Sequence, residues 1–288
     1  MKLNVSLYIP VYNGETTIKS VLESVFKLNP SPQEIIVVND GSSDRTSDIL
    51  DNYKEKIIII NNLVNRGLAY SRNIGLKNAR YDEIASLDSD VEVDTEWLKN
   101  LYDTKMKFNS SICGGKLIEK YKDKNIYNFW RHVHATQNNF GTKDIHNLKR
   151  PVSGSNSLLS KNAWQSVGGY DEQYTTNGED STFCQKLIQK NFKISFCSKA
   201  RAYHLRNDNL MSLVNSVRRA YIYGAGLKKP TFMRFIQRTI RHFKNFILYS
   251  IEDIKILKFS LIFINFAIFL NLFIKELIGL IKNKPDYV

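Results

Sequence analysis

Residues 84–94 read I-A-S-L-D-S-D-V-E-V-D, and the fold turns on how that stretch is read. A short apolar run, Ile84 to Leu87, ends abruptly in Asp88-Ser89-Asp90. The run has strand length and no turn residue, so it predicts a buried strand over residues 83–87. Two carboxylates one residue apart at the end of such a strand repel each other and resist desolvation. A divalent cation with oxygen ligands relieves both costs. In an open α/β sheet, ligands bind in the crevice outside the carboxyl ends of the strands. Asp is also a common turn former, so the pair alone leaves a plain turn open.

The residues before this stretch alternate between two patterns. Apolar runs at 5–9, 34–38 and 57–60 predict strands, the first stopped by Pro10. Helical spacing of Ile18, Val21, Leu22, Val25 and Phe26 predicts a helix opening at Glu15 or Thr16, and further helices are expected at 46–53 and 68–79. Strands alternating with helices predict a mostly parallel sheet covered on both faces, with right-handed crossovers. Polar turn residues follow each strand, at 10–13, 39–44, 61–67 and 88–90, on the edge where a nucleotide would lie. No G-x-G-x-x-G follows the first strand and no G-x-x-x-x-G-K-[ST] occurs, so the dinucleotide fold and the P-loop lose support.

Beyond the central stretch, a helix is expected at 97–108 and a strand at 112–118, where Gly114-Gly115 permits a bulge or close approach. Residues 119–150 mix aromatic, basic and histidine residues. No carboxylate or cysteine joins His132, His134 and His146 at ligand spacing, so they read as surface or acceptor-cleft histidines. Residues 152–159 hold Ser153-Gly154-Ser155-Asn156, small residues that let a ligand come near. A helix at 161–167, a turn at Gly168-Gly169-Tyr170-Asp171, a helix at 181–190 behind Gly178-Glu179-Asp180, and a last strand at 193–196 complete the pattern.

The 288 residues suffice for one large domain or two small ones, and 43% hydrophobic content supplies a core. Net charge is +13, and from residue 199 onward sixteen Lys or Arg face five Asp or Glu. That asymmetry points to an anionic partner for the tail. Cys113, Cys184 and Cys197 form neither a metal pattern nor a disulfide framework, which favours a reducing compartment. The N-terminus runs straight into a strand and carries no leader pattern.

The order of these motifs resembles the inverting nucleotide-sugar glycosyltransferases of family 2, with the GT-A fold. The matching pieces are Ile9-Pro10-Val11-Tyr12-Asn13 with Glu15, Val38-Asn39-Asp40-Gly41-Ser42-Ser43-Asp44, Asn65-Arg66-Gly67-Leu68-Ala69-Tyr70-Ser71-Arg72-Asn73, Asp88-Ser89-Asp90, Gly168-Gly169-Tyr170-Asp171-Glu172 and Glu179-Asp180. The resemblance covers residues 2–206. It implies an open, mostly parallel sheet with helices on both faces, with nucleotide-sugar binding in 1–95 and the acceptor side and base in 96–206.

The resemblance also implies roles. Pro10 and Tyr12 line the nucleobase pocket, with Asn13 beside them, and the Tyr12 ring stacks on uracil if the donor is a UDP-sugar. Asp40 accepts from a base N–H, Asn65 and Arg72 hold the base or ribose side, and Glu15 reaches toward the nucleoside. Asp88 lies by the ribose or a metal, Ser89 contributes a backbone contact, Asp90 binds Mn²⁺ or Mg²⁺, and His204 is a further metal-site ligand. Asp180 is the catalytic base. Other readings stay open: helix capping for Asp180, a sheet-edge histidine for His204, a helix-surface cation for Arg72 and core packing for Tyr12.

The Q-x-x-R-W signature of processive synthases is missing, and Arg218-Arg219-Ala220-Tyr221 does not replace it. Single addition is therefore expected. The region 207–288 is basic, apolar and expected to be helical. Residues 259–274 carry no charge, which is short for a spanning helix of about 20 residues. Flanking Lys255, Lys258 and Lys275, with Arg234, Arg238, Arg241 and Lys244 upstream, fit an interfacial mode on anionic lipid. A soluble helical subdomain or a dimer interface is the competing reading. The expected protein is cytoplasmic, peripheral or monotopic on the inner face of the cell membrane, with no nucleic-acid partner. It takes a nucleotide-sugar donor and a glycan or lipid-linked acceptor. A polyprenyl-phosphate acceptor, or a non-catalytic nucleotide-sugar-binding role, is the alternative.

Overall fold

The structure is a computed structural model that describes residues 2–135, 140–224 and 230–282. The chain divides into two compact units, 1–120 with 136–205, and 121–135 with 206–288.

The first unit is built on an eight-stranded sheet. Its strands are β1 (Lys2–Val11), β2 (Ser31–Asn39), β3 (Ile58–Asn61), β4 (Glu83–Leu87), β5 (Val91–Val93), β6 (Ile112–Glu119), β7 (Asn156–Ser160) and β8 (Ile194–His204). Their order is β3-β2-β1-β4-β7-β6-β8-β5. The first four pair in parallel, as alternating strands and helices demand. The other half is mixed: β7 runs antiparallel to β4 and β6, and β5 runs antiparallel to β8. The expectation of a mostly parallel sheet holds for the half built from β1 to β4, where helices supply the crossovers.

Helices α1 (Ile18–Phe26), α2 (Thr46–Asp51), α3 (Leu68–Asn78), α4 (Trp97–Lys107), α6 (Lys161–Ser166) and α7 (Glu179–Gln189) belong to this unit, and α5 (Ile126–His134) belongs to the other. The core is continuous through Tyr8, Ile36, Val38, Leu76, Ile84, Leu159, Phe183 and Phe196. Burying such side chains contributes about 25 cal/mol per Å² of apolar surface.

Two departures from the sequence reading have local causes. Pro10 does not stop β1, because β4 pairs only as far as Tyr8 and the missing N–H falls where no ladder bond is needed. Strand β8 runs on to His204 instead of ending at Phe196, with an irregularity where Gly115 gives way to Lys116 on β6.

The second unit is helical: α5 with α8 (Leu210–Gly224), α9 (Phe232–Lys255) and α10 (Ser260–Lys282). Helix α5 is capped by Asn125, whose side chain accepts from the N–H groups of Tyr127 and Asn128. Its Trp130 is buried with Leu213, Leu261, Ile264, Ile268 and Leu272. The Trp130 indole donates to Asn265 Oδ1 at 2.6 Å, and Asn265 donates to the buried Asp253 at 2.6 Å. His134 reaches the other Asp253 oxygen at 2.8 Å. His134 is thus fully buried and not a surface histidine, whereas His146 packs on Phe108.

Helix α10 has 23 residues and is apolar and long enough to cross a membrane. It outruns the charge-free stretch because Glu276 is paired with Arg238 of α9 at 3.1 Å. Seventeen large apolar side chains of residues 232–281, among them Phe243, Ile251, Phe263 and Ile281, are exposed.

Candidate active site

Register brings the sequence motifs together. Val11 of β1 lies opposite Asn39 of β2, and Asn39 opposite Asn61 of β3. The loops after β1, β2, β3 and β4 therefore open on one sheet edge. On the other side, Leu87 lies opposite Asn156, so the loop 153–155 runs beside Asp88, whose N–H donates to Ser155 O at 3.3 Å. His204 lies opposite both Val91 and Glu119. The antiparallel β5–β8 pairing thus carries a residue from the end of the sheet domain back to Asp90.

In the loop after β1, Tyr12 is 50% exposed, which excludes core packing, while Pro10 is buried. Asn13 takes a left-handed conformation, φ 51°, and its side-chain oxygen accepts from Ser43 N at 2.9 Å. Glu15 accepts from Arg45 N at 3.2 Å. Both therefore join the turns after β1 and β2. Asp40 is buried, and its carboxylate accepts from Asn62 Nδ2 and from the backbone of Arg66 and Gly67, at 2.7, 3.0 and 2.8 Å. Its oxygens thus pin the 62–67 loop. Gly41 makes this packing feasible: at φ +69° a Cβ would stand 2.6 Å from the Val64 backbone. Asn65, on the same loop, is exposed.

Arg72 differs most from its expected place. It is 1% exposed, neither a surface cation nor an open ligand for base or ribose. Its guanidinium donates to Asp88 Oδ1 at 2.8 Å, Glu179 Oε1 at 3.1 Å, and Ser86 Oγ and Gly154 O at 3.0 Å each. Burial opposes its charge, but Asp88, Tyr8 and Glu179 hold its pKa well above the ordinary value. Burial pushes the Asp88 carboxyl up, Arg72 opposes that, and Asp90 adds to it.

Asp90 and His204 meet at 3.3 Å through His204 Nε2, while His204 Nδ1 lies 3.1 Å from Glu119. Glu119 is buried and was not singled out in the sequence. Only the β6–β8 register reveals it. Ser89 is half-buried between the two aspartates.

Asp180 does not cap helix α7. Gly178, at φ 91°, occupies that position, and Glu179 and Asp180 sit in the first turn, where carboxylates favour the positive end of the helix dipole. Asp180 Oδ2 accepts from Gly154 N at 3.2 Å and Oδ1 from Ser181 N at 2.6 Å. Its neighbour Glu179 is 2% exposed, and burial, reinforced by Asp180, pushes it up to about 8 against the pull of Arg72. Of these adjacent carboxyls, the buried Glu179 is the one whose surroundings favour its protonated form.

Among the described residues, no three His, Cys, Asp or Glu side chains converge as a ready-made metal cage. Asp90 and His204 nonetheless offer a carboxylate oxygen and an imidazole nitrogen side by side. A carboxylate on the far ring nitrogen of a histidine is the usual support of a metal ligand. Neighbouring ligands on an ion with bonds of about 2.1 Å stand roughly this far apart, so the pair fits a small hard cation.

The description "Glycosyl transferase family 2" matches residues 6–166, and "N-terminal domain of galactosyltransferase" matches 131–208. A poly-beta-1,6-N-acetyl-D-glucosamine synthase of Staphylococcus epidermidis is 27% identical over 217 residues, 70% of this chain and 50% of that protein. The O-antigen chain rhamnosyltransferase RfbN of Salmonella typhimurium is 26% identical over 220 residues, 71% of this chain and 67% of its own. This chain thus spans half the length of the first relative. In solved structures, S. aureus TarS 1-349 in complex with UDP-GlcNAc shares the fold at TM-score 0.59 and 20% identity, covering 75% of this chain and 65% of TarS. The Pyrobaculum calidifontis mannosyltransferase PcManGT, in complex with GDP-Man and Mn2+, does so at TM-score 0.59 and 14% identity, covering 78% and 63%.

Proposed function

The chain belongs to glycosyl transferase family 2, and from that premise we propose that it is a metal-dependent, inverting transferase. It moves one sugar from a nucleotide-sugar to a hydroxyl of a glycan or lipid-linked glycan. The observation that carries this reading is the meeting of Asp88-Ser89-Asp90 at one sheet edge with His204 and with the Gly154–Asp180 contact.

The donor is a nucleotide-sugar, most simply a UDP-sugar. The uracil stacks on the exposed Tyr12 ring over Pro10, against the loop bearing Asn65 that Asp40 pins. Glu15 and Asn13 set the shape of the turns around it. Asp88 keeps one oxygen on Arg72 and turns the other toward ribose or ion, and the Ser89 backbone lines the same edge. Asp90 and His204 would hold Mn²⁺ or Mg²⁺, with Glu119 orienting the imidazole. When bound, such an ion supplies Lewis acidity that favours departure of the nucleoside diphosphate.

Asp180 accepts the proton of the acceptor hydroxyl. The Gly154 N–H fixes one of its oxygens, and Asp180 is half-buried at the mouth of helix α7 while its neighbour Glu179 is buried. Attack opposite the diphosphate inverts the anomeric centre. The α9–α10 pair lies on the anionic inner face of the cytoplasmic membrane, its exposed Phe, Ile and Leu side chains in the interface and its lysines among headgroups. A lipid-linked acceptor is reached from there. Proton NMR of the first-formed product tests the mechanism: an anomer opposite to the donor's supports it, and a retained anomer refutes it.

A further inference from the structure

Resting on the assignment of Asp180 as base, we propose that Arg72 is a positioning residue that holds the donor-side aspartate and the base in one frame. It does so by spanning four chain segments with one buried guanidinium.

Two separate routes lead from Arg72 to Asp180. The first runs through Glu179, which accepts from Arg72 Nε at 3.1 Å and directly precedes Asp180 in the chain. The second runs through Gly154, whose carbonyl accepts from Arg72 at 3.0 Å and whose N–H donates to Asp180 Oδ2 at 3.2 Å. On the other side of the same plane lie Asp88 Oδ1 at 2.8 Å and Ser86 Oγ at 3.0 Å, both from β4 or its end. The four partners thus come from β4, its end, the 153–155 loop and helix α7, while Arg72 itself stands on α3.

The arrangement is specific to a guanidinium. A planar fork of fixed donors can face four acceptors at set angles, whereas an ammonium is a point charge on a flexible stem. Gly154 is matched to it: a Cβ there would lie 3.0 Å from Arg72 Cζ and would push the plane away from the loop. Helix α3 fastens the base side elsewhere too. Asn73 bonds the backbone of Tyr170 through both side-chain atoms, at 2.9 Å, and Leu68 N donates to Thr175 O at 2.7 Å. The chain leading into α7 is therefore held to the helix that carries Arg72. Catalysis by positioned groups is sensitive to such a frame, since a shift of about 1 Å at the reacting atoms costs roughly a hundredfold in rate.

The test compares wild type, Arg72→Lys, Gly154→Ala and Glu179→Gln, with Asp180→Asn alongside. Turnover with UDP-sugar and Mn²⁺, UDP affinity by calorimetry, the pH profile of kcat and melting temperature are measured on each full-length chain. In Arg72→Lys and Gly154→Ala, kcat falls roughly 10²-fold while UDP affinity stays near wild type. Glu179→Gln still accepts from Arg72 and keeps kcat within several-fold. Should Arg72→Lys not fold, Gly154→Ala carries the same expectation, for it leaves every charge in place. The proposal is overturned if both variants melt lower yet turn over like wild type, which marks a mere staple of the core. It is equally overturned if UDP affinity falls in step with kcat, which marks a donor contact. Full activity in Asp180→Asn removes the base assignment itself, a result distinct from either.

Discussion

Replacing Asp180 by Asn separates a chemical role from a structural one, because the two carboxylate oxygens have different partners. Oδ2 accepts from Gly154 N at 3.2 Å, a bond the carboxamide oxygen of Asn can also accept. Oδ1 accepts from Ser181 N at 2.6 Å, and a carboxamide nitrogen in that place cannot. The substitution therefore costs one partly exposed hydrogen bond, about 1 kcal/mol, together with a small loss of helix-dipole energy. A melting-temperature drop of about 2–4 °C is expected for a chain of this size. The rate effect is far larger. Losing a positioned base lowers turnover by roughly 10²–10⁴, which is about 3–5 kcal/mol on the barrier. Nucleotide affinity stays unchanged, since the hydrogen bonds of Asp180 go to Gly154 and Ser181 and not to the donor-side residues. Nucleoside diphosphate release with acceptor present gives the rate, calorimetry with UDP and Mn²⁺ the affinity, and a thermal melt the stability. A rate within tenfold of wild type, or a collapse of UDP affinity, would refute the assignment.

Other outcomes follow from the same structure. Asp90→Ala abolishes both turnover and the Mn²⁺-dependent part of UDP binding, and full wild-type activity in excess chelator would sink the metal role. Glu179 has its pKa raised from 4.5 to about 8, so its stabilising contribution is complete below 4.5 and is lost as pH rises toward 8. Glu179→Gln should flatten the stability–pH curve across that window, leaving the smaller slope of the same sign from Asp88, and an unchanged curve in denaturant titrations at several pH values contradicts it. Phe263→Glu with Ile251→Glu, both exposed, should leave the melt unchanged and abolish flotation with anionic liposomes, and undiminished flotation argues against the membrane face. Trp130→Ala removes the anchor between α5 and α10 and should cost about 3–5 kcal/mol in denaturant unfolding.

Much of the nucleotide-side half was legible because burial on both faces writes itself as apolar runs. Residues 83–87 were predicted and found as a strand of the same bounds. The loops after β1 to β4 fell on one edge because parallel pairing leaves no other choice. Less legible was anything set by long-range register. Glu119 carries no local signal, and only the β6–β8 pairing seats it behind His204. The bonds by which Asp40 holds the 62–67 loop likewise leave no mark in its own motif. Arg72 lies in a polar-looking helix, and its burial depends on acceptors 14 to 107 residues away. Helix α5 did show a signal: Ile126, Trp130 and His134 recur every fourth residue, but interleaved basic and aromatic residues blurred the period. Its packing onto α8 and α10 puts 121–135 in the helical unit, so truncation near Arg241 would strip the Trp130 cluster of α10.

The claim at the centre of this account is metal-assisted release of a nucleoside diphosphate from a nucleotide-sugar at the Asp88–Asp90 edge. Its most direct test is nucleotide release by the full-length protein from a panel of UDP- and GDP-sugars, with Mn²⁺ and with chelator. Release from at least one UDP-sugar is expected to depend on Mn²⁺ and to be absent in Asp90→Ala. Release that is indifferent to both chelator and the Asp90 substitution would contradict it, as would none from any donor with Mn²⁺ and acceptor glycans supplied.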